Sequence, residues 1–272
     1  MNTYVMSDIH GCYEDFLNML DKIAFSESDS LILAGDYIDR GKQSYDMLKW
    51  IENCPSNILL LHGNHEEEFA SYIDLMLKLD RDAKLETDFD SNEEAAALYA
   101  SVKYLLKNKG FSVSHFDLYG TLGKMLVING ITLNNLRTWA ELIRTMPYYH
   151  KLTVGDRNCV VVHAGYMDNL AVEGEVFEII SESFSGLEEF YLYAREEAYQ
   201  LGGIRHGMII AGHTPTIVEG DLTYNGGKVF RYYDREKDCV FYDIDCGCVF
   251  RNRKLGAQLA CICLEDEKIF YV

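Results

Sequence analysis

Nine polar residues stand in five short turns of the chain: Asp8 and His10 in "SDIHG", Asp36, Asp39 and Arg40 in "GDYIDRG", Asn64 and His65 in "GNHE", His163 in "HAG", and His213 in "GHTPT". Carboxylate, imidazole and amide groups recur and cysteine does not. That donor set suits Mn, Fe, Zn or Mg rather than a soft-metal site. An aspartate between two such ions can bridge them through its two oxygens, about 3.5–4 Å apart. Taken singly, each residue reads as a turn former or cap after a strand. Five strand ends that each offer a ligand are not explained as five independent caps. Glycines flank nearly all of them (Gly11, Gly35, Gly63, Gly165, Gly212) and permit the tight turns that aim side chains at one point.

The elements that must hold these turns follow a simple rhythm. "TYVM", "LILA" and "NILLL" read as short apolar strands. Each is followed by a polar turn and then a helix, with Phe16, Met19, Leu20 and Ile23 on the first inner face, Met47, Leu48 and Ile51 on the second, and Phe69, Ile73 and Met76 on the third. Strand, turn, helix in this order predicts parallel strands with the polar turns at one edge, where α/β proteins place ligands. Residues from about 80 to 150 break the rhythm and predict a helical insertion in a single domain spanning 1–272, with Leu136, Trp139, Ala140 and Ile143 inward on one helix. Within it, Asp88-x-Asp90-x-Asn92 resembles the start of a calcium loop but has Glu93 where glycine is required, so a solvated acidic loop is expected. Beyond the insertion, "CVVVHAG" and "GMIIAGHTPT" read as strands, separated by a helix over roughly Leu187 to Leu201. "KVFRYYD", "CVFYDIDCG", "AQLACICL" and "KIFYV" complete a second strand cluster. The fold class expected is α/β, a β-sandwich core in αββα layers.

The formal net charge of -18 argues against a long nucleic acid as partner, because phosphate backbones need a basic surface. The opening "MNTYVMSDIHG" lacks the basic and apolar regions of a secretory signal, and no run reaches membrane-spanning length. A cytoplasmic location and no membrane partner are therefore expected. The C-x-C pairs Cys246/Cys248 and Cys261/Cys263 read as strand residues sharing a face, and no C-x-x-C occurs, so reduced core thiols are expected rather than structural zinc.

The blocks "SDIHG", "GDYIDRG", "GNHE", "HAG" and "GHTPT" together resemble the signature of the phosphoprotein phosphatase (PPP-type), calcineurin-like metallophosphoesterases, nearest the bacterial and phage serine/threonine phosphatase branch. Ser7 stands where that pattern has glycine, and the "SAPNY"-type tail is absent. The resemblance implies two divalent ions, by preference Mn with Fe, Zn or Mg possible. One is held by Asp8, His10 and Asp36, the other by Asp36, Asn64, His163 and His213, with Asp36 as the bridge. It further implies an attacking water ionised by the pair, His65 as general acid oriented by Asp39, and Arg40 gripping phosphoryl oxygens. Arg195 in "YLYAREEAY" is the expected second arginine, with Tyr193 in place of the branch's tryptophan; its alternative is a surface salt bridge with Glu188 or Glu189.

The leading functional expectation is a phosphomonoesterase acting on phosphorylated protein, at phosphoserine or phosphothreonine with phosphotyrosine as the wider option, or on a small phosphoester. The alternative is a symmetrical dinucleoside tetraphosphate (Ap4A) hydrolase or small phosphodiesterase with the same metal centre. Ap4A hydrolases resemble the chain but carry Asn in the second block, so Asp39 favours the phosphatase. A catalytically silent binding module would be expected to have lost a ligand or His65, and none is missing.

Overall fold

The computed structural model describes residues 1–83, 90–109, 116–168 and 183–272. Asp88 and much of the expected acidic loop lie outside the described residues. Three strands, β1 (Thr3–Met6), β2 (Ser30–Leu33) and β3 (Ile58–Leu60), alternate with α1 (Tyr13–Lys22), α2 (Ser44–Ile51) and α3 (Asn64–Ala83). They pair in parallel, Met6 beside Leu33 and Leu33 beside Leu60. Helices α4 (Asn92–Asn108), α5 (Thr121–Ile128) and α6 (Leu133–Arg144) follow. Then come β4 (Tyr149–Val154) and β5 (Arg157–Val162), the short helices α7 (Leu187–Tyr193) and α8 (Glu197–Gln200), and β6 (Gly207–Ala211). The chain finishes with β7 (Phe230–Asp234), β8 (Cys239–Asp243), β9 (Ala260–Cys263) and β10 (Ile269–Tyr271).

Two five-stranded sheets result, ordered β10-β9-β1-β2-β3 and β4-β5-β6-β8-β7. Because successive strand side chains point to opposite faces, each buried strand serves two cores. Val5, Ile32 and Ile262 of the first sheet meet Val161, Ile210 and Tyr242 of the second in the layer between them. Tyr4, Met6, Leu31 and Leu33 turn the other way, onto α1 and α2. Val160, Val162, Ile209 and Phe241 turn onto α7 and α8 through Phe190, Tyr191 and Tyr199. The α/β fold with two packed sheets between helices is thus present as expected. The last strands are mostly antiparallel, but β8 runs parallel to β6.

Three details depart from expectation. The stretch Leu187 to Leu201 is not one helix: Ala194 is extended (φ -62, ψ 135) and separates α7 from α8. Strand β4, a half-exposed strand at the sheet edge, has weak alternation and was not foreseen. Cys246 and Cys248 do not share a face, because Gly247 at φ 74 ends the extended run and starts a 3-10 turn, Cys248–Phe250. Cys246 enters the inter-sheet layer and Cys248 the opposite core. Cys261 and Cys263, in a true strand, do share one.

Helices α4 to α6 continue the core of the βα units. Leu98, Leu122, Leu136 and Trp139 belong to the same buried cluster as Phe16 and Met47. Trp139 is fully buried, edge-on to Tyr45 of α2, and its indole N–H donates to Glu52. Trp139→Ala should therefore lower stability by about 3–5 kcal/mol in a single transition. Urea denaturation followed by both circular dichroism and fluorescence measures it; two separate transitions would show that the helices fold apart from the sheets.

Candidate metal centre

All five turns lie at the C-terminal ends of parallel strands. Asp8 and His10 follow β1, Asp36, Asp39 and Arg40 follow β2, Asn64 and His65 open α3 after β3, His163 follows β5 and His213 follows β6. Backbone hydrogen bonds lock the turns together. Asp8, His10 and Gly11 donate to the carbonyls of Gly35, Asp36 and Tyr37 at 3.1, 2.8 and 2.7 Å, and Gly212 donates to His163 at 2.8 Å. The approach is close enough to need glycine: a Cβ on Gly63 would lie 2.3 Å from the Asp36 nitrogen. Of the eleven non-glycine residues at positive φ among the described residues, six are Asp8, His10, Asp36, Asp39, Arg40 and His213. Such conformations are costly for ordinary residues and concentrate where surrounding structure enforces them.

The two oxygens of Asp36 face different partners. Oδ2 lies 3.5 Å from His10 Nε2, which is 3.8 Å from Asp8 Oδ1. Oδ1 lies 3.4 Å from His163 Nε2. His163 Nε2 is 2.9 Å from Asn64 Oδ1 and 3.2 Å from His213 Nδ1, and those two atoms are 3.1 Å apart. His10 Nδ1 and His163 Nδ1 each meet a backbone carbonyl at 2.9 Å, of Ile38 and Ala34. Those carbonyls hold the ring protons on Nδ1 and leave each Nε2 as a lone pair aimed inward. The result is two clusters of acceptors with too few protons between them.

Charge tells the same story. Asp8, His10, Asp36 and His163 are buried. Burial drives His10 and His213 well below the usual imidazole range, so both are neutral, as ligands must be. Burial pushes the Asp8 carboxyl up. For Asp36 burial acts upward too, but the imidazoles around it, His163 first, hold it below the usual carboxylate range. Asp8 Oδ1 has no hydrogen-bond partner although buried. A buried unpaired carboxylate oxygen facing imidazole lone pairs is costly, and a divalent ion relieves it. The donors present fit two such ions.

The remaining expected residues surround this centre. His65 Nδ1 pairs with Asp39 Oδ2 at 2.7 Å, and its Nε2 is 3.7 Å from Asp36 Oδ2. Asp36 and Asp39 outweigh burial and raise His65 to about 9. Arg40 is exposed at the rim, where Nη1 donates to His10 Nε2 at 2.9 Å and the guanidinium lies over the Tyr119 ring. Arg195 is exposed just past α7, near enough to His213 and Asp243 to act on their protonation. It forms no ion pair with Glu188 or Glu189; the Glu189 carboxylate accepts from Ser185 instead.

A model of the calcineurin-like phosphoesterase family matches residues 1–217. The chain belongs to that family. Calcineurin-like phosphoesterases are a family that uses a dinuclear metal centre. The chain is similar to symmetrical bis(5'-nucleosyl)-tetraphosphatases. One from Haemophilus ducreyi is 31% identical over 116 residues, covering 42% of this chain and 41% of that protein. One from Wigglesworthia glossinidia brevipalpis is 45% identical over 67 residues, covering 24% and 25%. These matches span well under half the length of the relatives. Among solved structures, one described as a putative diadenosine tetraphosphatase superposes with a TM-score of 0.50 at 14% identity, covering 100% of this chain and 92% of that one. A cold-active protein tyrosine phosphatase variant gives a TM-score of 0.50 at 13% identity, covering 99% and 80%. At such identities these two speak to the fold alone.

Several residues of the calcineurin-like phosphoesterase site escaped the sequence reading. Glu66, buried, accepts the backbone N–H groups of Asp36 and Tyr37 at 2.7 and 2.9 Å and so fixes the turn carrying the bridge candidate. Ser7 Oγ donates to Asp8 Oδ2 at 2.5 Å, and the His213 N–H donates to the same oxygen at 3.0 Å. The hydroxyl thus orients Asp8, a task glycine could not perform. Asp243 and Asp245 end and follow β8, also parallel to its neighbour; burial drives both carboxyls well up, with Asp8 adding. Their signal was the stretch "YDIDCG" at another strand end, though isolated carboxylates there also read as turn formers.

Saturating Mn²⁺ should stabilise the chelator-treated protein by about 2.7 kcal/mol for each bound ion at a hundred times its dissociation constant, read as a rise in Tm. Asp36→Asn should lose most of that rise. An undiminished rise in the variant would mean that the ions bind elsewhere.

Proposed function

We propose that the chain hydrolyses dinucleoside polyphosphates at a dinuclear centre whose ligands are Asp8, His10, Asp36, Asn64, His163 and His213. The observation that carries the substrate class is the surface beside the centre. A cavity of about 720 Å³ opens from Arg40 and is lined by Lys42 and Arg253, by Arg251, which pairs with Asp15 in the same wall, and by Tyr119 and Phe250. In a chain of net charge -18 this clustering of cations and rings suits a polyanionic substrate with a base to stack. The names of the curated relatives point the same way.

When bound, the divalent pair supplies Lewis-acid polarisation of phosphoryl oxygen and activation of water. The chain's own residues do the rest. Asp36 sets the spacing of the two ligand sets. Arg40 and Arg195 flank the centre from opposite turns and neutralise charge growing on the equatorial oxygens. His65, charged at neutral pH and hydrogen-bonded to Asp39, is placed to protonate the leaving oxygen.

A second reading, a protein phosphatase, is favoured by one residue: Asp39 stands where Ap4A hydrolases resembling the chain carry Asn. Steady-state assays of the Mn-loaded protein on Ap4A, a phosphopeptide and a 2′,3′-cyclic nucleotide separate the readings. The highest kcat/KM should fall to Ap4A; a wide margin for the phosphopeptide would replace this proposal with the second reading. Asp36→Asn and His65→Asn should each lower kcat by at least about a hundredfold.

The His65 role also predicts a pH effect. Protonated His65 is the active form, so activity falls as pH rises through its pKa. Asp39→Asn removes the carboxylate that favours the protonated ring, and the alkaline limb of kcat/KM should move to lower pH. A limb that stays in place would deny Asp39 that role.

A further inference from the structure

A different donor set lies in the wall of the same cavity. Cys12 caps the start of α1 and Asp15 sits in its first turn, so spacing of three residues puts both side chains on one face. Cys248 arrives from the 3-10 turn after β8, swung over α1 by the positive φ of Gly247. The two sulfurs and a carboxylate oxygen lie within 4.8 Å of one another. Cys248 Sγ is 3.5 Å from Asp15 Oδ2. On a tetrahedral zinc ion, a thiolate at about 2.3 Å and a carboxylate oxygen at about 2.0 Å stand roughly 3.5 Å apart.

The arrangement is held from behind. Arg251 donates to Asp15 Oδ1 and, through its other nitrogen, to the Val272 carbonyl at 2.5 Å. Oδ2 is thereby left to face Cys248, as a hydrogen-bonded metal carboxylate is in known sites. Two thiolates, one carboxylate and one guanidinium sum to a charge of about minus two, which a divalent ion cancels. All three donors line the cavity, so a fourth coordination position opens into it. The other buried thiols, Cys159, Cys239, Cys246, Cys261 and Cys263, are packed among apolar side chains.

We propose that Cys12, Asp15 and Cys248 form a third cation site, for zinc or another thiol-seeking divalent ion, separate from the dinuclear centre. Its thiolates select against Mn and Mg, so the two sites take different ions from the same mixture. An ion there staples the β1–α1 turn, which carries Asp8 and His10, to the loop that carries Asp245. The site does not depend on which phosphoester is the substrate.

Cobalt(II) titration of the metal-free full chain tests it, because only a thiolate ligand gives strong near-ultraviolet charge-transfer absorption and the dinuclear donors are all oxygen and nitrogen. The wild type should bind one equivalent more than the dinuclear centre takes, with that band. Cys12→Ser and Cys248→Ser should each lose the band and the extra equivalent while keeping the rest. Saturation without the band, or an undiminished band in both variants, overturns the proposal. If a serine variant fails to fold, alkylation of the wild type decides. Zinc at about ten times its dissociation constant should slow labelling of Cys12 and Cys248 about tenfold, since only the free fraction reacts. Unchanged rates at both cysteines overturn the proposal equally.

Discussion

Asp36 is a buried carboxylate with lone-pair donors on both sides, and the surrounding architecture follows from the need to hold it there. Its Oδ2 meets His10 and His65, and its Oδ1 meets His163 and the backbone N–H of His65. Three imidazoles around one buried acid form an arrangement that apolar packing would never select, because each polar group costs free energy on leaving water. Glu66 grips the turn from below, the β1–α1 turn zips onto it from one side, and Gly63 lets the next turn close on it from the other. The positive φ values of Asp8, His10, Asp36, Asp39, Arg40 and His213 are strain that the packed sheets sustain.

The same interaction links the two sheets. Asp8, Asp36 and Asn64 come from the first, His163 and His213 from the second. The apolar layer between the sheets therefore does more than stabilise the fold: it fixes the spacing between donors more than a hundred residues apart in sequence. Backbone bonds such as Gly212 to His163 add direction that apolar contact cannot provide.

What the sequence made legible, and what it hid, separates along physical lines. Strand-end donors were legible because the short apolar runs "TYVM", "LILA" and "GMIIA" stop abruptly at polar turns. Each donor must then project from the same edge of a parallel sheet. Asp39 beside His65 was legible through the family resemblance, and the two are in contact. Glu66 was hidden because its work is done on backbone N–H groups, which carry no residue signature. Ser7 registered only as a departure from a pattern; its bond to Asp8 shows why the hydroxyl is tolerated there. The break at Ala194 was invisible to periodicity, since apolar residues on both sides keep a helical spacing. Cys12 and Cys248 were hidden by distance along the chain: neither lies in a C-x-x-C, and a glycine turn alone brings them together.

Two cations held by these convergent acceptors would be visible by diffraction from crystals grown with manganese. Anomalous difference maps should show two peaks about 3.5–4 Å apart, one on each side of Asp36, with Asn64, His163 and His213 around one and Asp8 and His10 at the other. A map with no peak at Asp36, in crystals that hold manganese elsewhere, would contradict the account.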